Sequence, residues 1–246
     1  MTEAMKIEVL SSAESVAQRA ADIVAEEAKK AVAARGRFVF AASGGRTPWL
    51  MLRALTNMGI PWSSVRVVQV DERVAPPGHP DRNLTHLREC LLNYAPLAAE
   101  QILAMPVESA DLEAAATQYA ATLRQVAGSV PTLDLVHLGL GSDGHTASLV
   151  PSDPVLNIED ADVAITGIYQ GRLRMTMTAP MINRSREILW MVTGGEKAEM
   201  LNRLLDGDKS IPAGHIRRDG ALVVADEAAA GRWPRTRKTE RSMTCV

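Results

Sequence analysis

The stretch Leu133-Asp134-Leu135-Val136-His137-Leu138-Gly139-Leu140-Gly141-Ser142-Asp143-Gly144-His145 decides the fold. Residues 133–138 read as a strand buried on both faces, and the chain then breaks at once into glycines. A buried strand that feeds a glycine-rich loop belongs to a parallel sheet covered by helices, with its ligands at the carboxyl edge.

Working outward, apolar runs alternate with helical patterns. Strands are expected at 5–10, 37–42, 65–70, 163–166, 173–178, 188–193 and 222–225. Helices are expected at 12–35, with Ser12 as cap and Gly36 as stop, from Thr47 and Pro48 to about 58, and at 83–93, 111–126 and 196–205. Residues 74–80, VAPPGHP, must be loop. No period of 20 to 50 residues suggests a solenoid. The expected class is α/β: a mainly parallel, Rossmann-like sheet with helices on both faces and a small additional subdomain. Residues 1–231 are expected to form a single domain and 232–246 a polar, solvated tail.

Composition removes other classes. The net charge is −2, from 27 basic and 29 acidic residues, so no global field exists to hold nucleic acid. Cys90 and Cys245 lie too far apart in sequence for a disulfide framework or a metal spacing and read as free thiols in a reducing compartment. No apolar run approaches the ~20 residues of a membrane span, and no signal core follows the start. The expectation is a cytoplasmic protein with no membrane or nucleic-acid partner, monomeric or a small homo-oligomer.

Three strand-end loops carry unusual residues. Ser43-Gly44-Gly45-Arg46-Thr47-Pro48 offers unobstructed backbone N–H groups at a helix N-terminus, with the Ser43 and Thr47 hydroxyls beside them. It is a phosphate cradle or simply a tight turn that needs glycine. Asp71-Glu72-Arg73 follows the strand at 65–70. The third loop contains a literal Gly-x-Gly-x-x-Gly at Gly139, Gly141 and Gly144, but Pro151 and Pro154 leave no room for the full helix that a dinucleotide fingerprint requires. Its more telling pair is Asp143 and His145: an exposed histidine at a strand's carboxyl end, two residues from a carboxylate able to orient it, suits a general base, though it could equally bond only its own loop. Arg73, Arg174 and Lys197 fall at or near the same edge; each alone reads as a solvated charge, and together they suit a phosphate. His79, His86, His137 and His215 show no ligand spacing, so no metal is expected. His137, within the strand, reads as a satisfied core residue.

Together these segments resemble the 6-phosphogluconolactonase family, in order and over nearly the whole chain. The resemblance rests on Ser43-Gly44-Gly45-Arg46-Thr47-Pro48, Asp71-Glu72-Arg73 with Asn83 beyond, and Gly139-Leu140-Gly141-Ser142-Asp143-Gly144-His145-Thr146-Ala147-Ser148-Leu149-Val150-Pro151. It continues through Arg174-Met175-Thr176-Met177-Thr178, Gly194-Gly195-Glu196-Lys197 and Pro212-Ala213. Arg46, where a small residue is common, and Val150, where Phe is common, depart from the pattern without removing a proposed functional group. The resemblance implies a fold shared with glucosamine-6-phosphate deaminases, no cofactor, and hydrolysis of a sugar-phosphate lactone, 6-phospho-D-glucono-1,5-lactone. In that reading His145 is the base, Asp143 orients it, and Ser43, Gly44, Gly45, Thr47, Arg73, Arg174 and Lys197 hold the substrate phosphate. An amino-sugar-phosphate deaminase is the nearest rival, disfavoured because Thr146-Ala147-Ser148-Leu149 follows the histidine. A sugar-phosphate sensor would be expected to add a DNA-binding module, of which the sequence carries no sign.

Overall fold

A computed structural model describes residues 5–231. The expected tail at 232–246, with Cys245, lies outside the described residues. The chain runs β1 Lys6–Leu10, α1 Ala13–Arg35, β2 Phe38–Ala42, α2 Arg46–Leu55, β3 Val65–Gln69, β4 Asp71–Arg73 and α3 Asn83–Leu87. It continues with β5 Ile102–Leu103, α4 Leu112–Ala127, β6 Leu135–Gly139, β7 Val163–Ile165, β8 Arg174–Met177 and α5 Ala179–Asn183. The last elements are β9 Glu187–Val192, α6 Ala198–Asp206, β10 Ala221–Asp226 and α7 Glu227–Ala230.

Seven strands form one sheet in the order β1-β10-β9-β6-β2-β3-β5, and every neighbouring pair is parallel. Side chains alternate across it as the pleat demands. Phe38, Phe40 and Ala42 of β2 face the core under α1 and α2, while Val39 and Ala41 face the core under α4 and α6. α1 is long because its interior is alanine-rich and its ends are marked. The Ser12 side chain accepts from the Ser15 N–H at 3.2 Å, and Gly36, at φ +72°, takes the left-handed stop.

The small addition is a second sheet of three antiparallel strands, β4-β8-β7, whose Met175 and Met177 join the core on the α4 side. Asp71-Glu72-Arg73 is therefore not a loop but an element of this sheet, reached directly from β3. The expected helix at 83–93 also differs: α3 stops at Leu87 and the chain passes into a wider π turn, Arg88–Leu92. The helix expected from 196 opens with a 3₁₀ turn at Gly195–Lys197 before α6 begins. After Gly144 no full helix forms, only a 3₁₀ turn at Pro154–Asn157, as the two prolines required.

Strand order places the site. β9, β6, β2 and β3 are consecutive neighbours, so the loops leaving their carboxyl ends lie side by side: 193–197, 140–148, 43–46 and the entry to β4. The chain departs in opposite directions on either side of β6, the crevice where open parallel sheets bind ligands.

Candidate active site

β2 is buried throughout and delivers Ser43-Gly44-Gly45 to the start of α2. Gly45 adopts φ +125° and no side chain caps the helix, which leaves first-turn N–H groups for a ligand. Gly44 is required by close approach, since a Cβ there would lie 2.0 Å from Asn83 Oδ1. The Thr47 and Thr193 hydroxyls are hydrogen-bonded at 2.7 Å and so tie the cradle to the loop after β9.

Arg73 is held by a buried scaffold. The Glu72 carboxylate, with no exposed surface, accepts from the N–H groups of Arg73, Asn83 and Leu84 and pairs with Arg82 at 3.1 Å. It thereby caps α3 and fixes Asn83. Asn83 in turn accepts from Arg73 Nη1 at 2.9 Å and donates to the Asp71 carbonyl at 3.0 Å. Ser148 Oγ donates to Asp71 Oδ2 at 2.7 Å, which ties the loop after β6 to β4.

In that loop His145 Nδ1 donates to Asp143 Oδ1 at 2.6 Å. Gly141 makes the contact possible, because a Cβ at that position would sit 2.0 Å from Nδ1 and 2.5 Å from Oδ1. The second carboxylate oxygen accepts from the Tyr169 hydroxyl at 2.7 Å, and the Tyr169 ring meets the imidazole edge-on. Partial burial pushes the Asp143 carboxyl up, but the hydrogen bonds from Tyr169 and His145 outweigh it and hold the group down at about 2. Burial and the bond to Asp143 push the Tyr169 phenol up to about 12, so at neutral pH the pair is a carboxylate and a phenolic donor. With Nδ1 engaged, Nε2 is the imidazole nitrogen without a hydrogen-bond partner among the described residues.

A cavity of about 490 Å³ opens between these loops, within the range of small-molecule sites. It is lined by Ser43, Gly44, Gly45, Thr47, Arg73, His145 and Lys197 together. Asp143 stands behind His145 and does not line it. Arg174 does not line it either: this residue, expected at the phosphate and read alone as a solvated charge, is 3% exposed, lies beside Arg73 across the β4–β8 pair, and faces an adjoining cavity. Arg46 is exposed and lines both cavities.

The model of the glucosamine-6-phosphate isomerase/6-phosphogluconolactonase family matches residues 11–224. The chain belongs to this family. It is 36% identical to the 6-phosphogluconolactonase of Synechocystis over 93% of this chain and 98% of that one. A crystal structure of a 6-phosphogluconolactonase from Shewanella baltica is similar at 25% identity with a TM-score of 0.80, covering 92% of this chain and 99% of that one. A monomeric glucosamine-6-phosphate deaminase reaches a TM-score of 0.81 at 20% identity, covering 92% and 99%. Backbone likeness alone therefore does not separate the two chemistries within the family.

Tyr169 was not legible in the sequence as a site residue. It lies in the connection between β7 and β8, where Gln170 and Gly171, at φ +50° and +78°, close a tight turn bridged by Tyr169 and Arg172. A Gln-Gly pair signals the turn; nothing in it signals which loop the tyrosine will meet. The expectation for His137 also needs correction. Its Nδ1 accepts only a long bond, 3.4 Å, from the Ser43 N–H, and its Nε2 has no partner, so the ring is half satisfied. Burial lowers it to about 3, and it is neutral. Among the described residues no group of three or more His, Cys, Asp or Glu is placed to hold a metal, and no helix is long and apolar enough to cross a membrane.

Proposed function

We infer that this chain hydrolyses 6-phospho-D-glucono-1,5-lactone to 6-phospho-D-gluconate, the lactonase step of the oxidative pentose phosphate pathway. The observation that carries the reading is His145, held by Asp143 at 2.6 Å, on the wall of a cavity whose other walls hold the 43–47 cradle and Lys197. A lactone is an activated ester, and its opening needs an oriented base, a place for the carbonyl's developing charge and a grip on the remote phosphate.

In this mechanism Asp143, kept ionised, holds His145 with its proton on Nδ1, and Nε2 takes a proton from water. The hydroxide formed attacks the lactone carbonyl carbon, and backbone N–H groups of the glycine-rich loops stabilise the oxyanion. Collapse breaks the bond to the ring oxygen, which receives the proton from His145 Nε2, and the acid product ionises in solution. Tyr169 acts through Asp143 as a positioning residue. Ser43, Gly44, Gly45, Thr47, Arg73 and Lys197 hold the phosphate.

The test is acid release in a pH-stat from freshly generated 6-phosphogluconolactone, compared with buffer because the lactone also opens unaided. Release well above the buffer rate is expected; release no faster than buffer would sink the reading.

A further inference from the structure

Beside the catalytic cavity, sharing Gly45, Arg46 and Arg73 with it, lies a second cavity of about 280 Å³. Four guanidiniums line it, those of Arg46, Arg73, Arg172 and Arg174, against one carboxylate, Asp81, among the described residues that do so. That carboxylate is already engaged, because Arg172 grips Oδ2 through Nε at 3.0 Å and Nη2 at 2.9 Å. Arg46, Arg73 and Arg174 have no carboxylate within ion-pair distance among the described residues. Arg73 donates instead to the Asp81 carbonyl and to Asn83, and Arg174 donates to Gln170 Oε1 at 3.1 Å.

Arg174 is the extreme case. It is 3% exposed, its Nε has no hydrogen-bond partner, and its cross-strand neighbour is a second cation, Arg73. Burial and that neighbour together depress its proton affinity below arginine's ordinary value. Buried charges in folded proteins are paired, because an unpaired ion loses its hydration without return. A cluster of guanidiniums around one small hollow, with the one carboxylate among its described lining residues taken, leaves a place for the counter-ion that a planar or tetrahedral oxyanion would supply through bidentate contacts.

We propose that this cavity is a second anion subsite, adjoining the cradle at 43–47 and sharing Arg46 with it, which takes a small oxyanion among Arg46, Arg172 and Arg174. Two sources share that chemistry: a free anion such as inorganic phosphate, or the carboxylate that the lactone becomes on opening. The second source rests on the functional reading above. The subsite is wired to the catalytic pair, since the Arg174 guanidinium lies over the Tyr169 ring, 4.8 Å from its centroid, and Tyr169 donates to Asp143.

Calorimetric titration of the full chain with inorganic phosphate tests the proposal directly. Two equivalents are expected in the wild type. Lys197→Ala should remove the equivalent held in the catalytic cavity, and Arg172→Ala, a change at a partly exposed position, should weaken the other by about tenfold or more. Arg174→Leu should do the same where circular dichroism shows it folded. A single equivalent that Lys197→Ala abolishes and Arg172→Ala leaves untouched would overturn the subsite. Repeating the titration with saturating 6-phosphogluconate and with saturating glucose 6-phosphate separates the sources. Loss of the second equivalent only with the carboxylate-bearing compound assigns the hollow to the product, and retention with both assigns it to a free anion. Phosphate binding is read without turnover, so a chain that failed the lactonase assay could still show both equivalents.

Discussion

The carboxyl rim of the parallel sheet and the three-stranded sheet beside it supply the site in different ways. At the rim, each functional group sits within a few residues of the strand that delivers it: Ser43 and Gly44 after β2, Asp143 and His145 after β6, Lys197 after β9. On the flank, Arg73, Arg174 and Tyr169 come from segments about 100 residues apart that meet only because β4 pairs with β8. The rim builds its chemistry locally, from loops with recognisable residues. The flank builds it by pairing, and its residues look ordinary until the pairing exists.

That contrast can be broken experimentally, and the largest effect belongs to the rim. Replacing His145 with Ala should lower kcat by ~10²–10⁴ while leaving the fold intact, the usual worth of a general base. Steady-state kinetics alongside circular dichroism checks both halves. Near-normal turnover would transfer the base role, with Asp143 the next group in line.

Next in size come the cations proposed to hold the phosphate. Charge-assisted hydrogen bonds contribute on the order of 1.5–3 kcal/mol each, so Arg73→Ala or Lys197→Ala should cost roughly 10- to 150-fold in kcat/KM. With unphosphorylated glucono-1,5-lactone, itself expected to be a poor substrate, the penalty should shrink toward nothing. Equal penalties on both lactones would mean that these residues support the fold or the carbonyl end.

The flank's contribution to the rim is sharpened by Tyr169→Phe, which should reduce kcat by about tenfold, with KM little changed, because a carboxylate oxygen loses its partner. The hydrogen bonds from Tyr169 and His145 hold Asp143 down at about 2, so losing one should raise it toward 3.8, which an NMR titration of the Asp143 carboxyl carbon reads directly. An unshifted Asp143 titration, with kcat lowered or not, would remove Tyr169 from the positioning role.

The smallest effect on turnover is expected at His137, away from the cavity, where the readout is stability. His137 takes up a proton near its ordinary 6.5 when unfolded but only near 3 when folded. Its contribution is thus complete above pH 6.5 and is lost as pH falls from there toward 3. Urea unfolding from pH 7 to 4 should show that loss, and His137→Gln should flatten this part of the pH dependence. Parallel curves for the two proteins would mean that the histidine's burial is not what acid undoes.

The architecture was legible because it rests on local signals. Strand runs, the Ser12 and Gly36 caps and the prolines at 151 and 154 act within a few residues of themselves, and the structure follows them. Where elements were misread, a partner outside the local window decided. Asp71-Glu72-Arg73 becomes a strand because β8 is there to pair with it, and α3 begins at Asn83 because a buried carboxylate eleven positions earlier, Glu72, receives its first N–H groups.

The sequence by itself determined the α/β class, the strand-end loops and the Asp143–His145 pair, because in each case the groups that must meet are neighbours along the chain. Only the tertiary structure decided that Tyr169 completes that pair, that Arg174 is buried beside Arg73, and that Arg174 faces a different hollow from Lys197. The physical reason is range: capping, turns and hydrophobic periodicity act over a few residues, whereas strand order and cross-strand pairing set which distant side chains share a dielectric and a hydrogen bond.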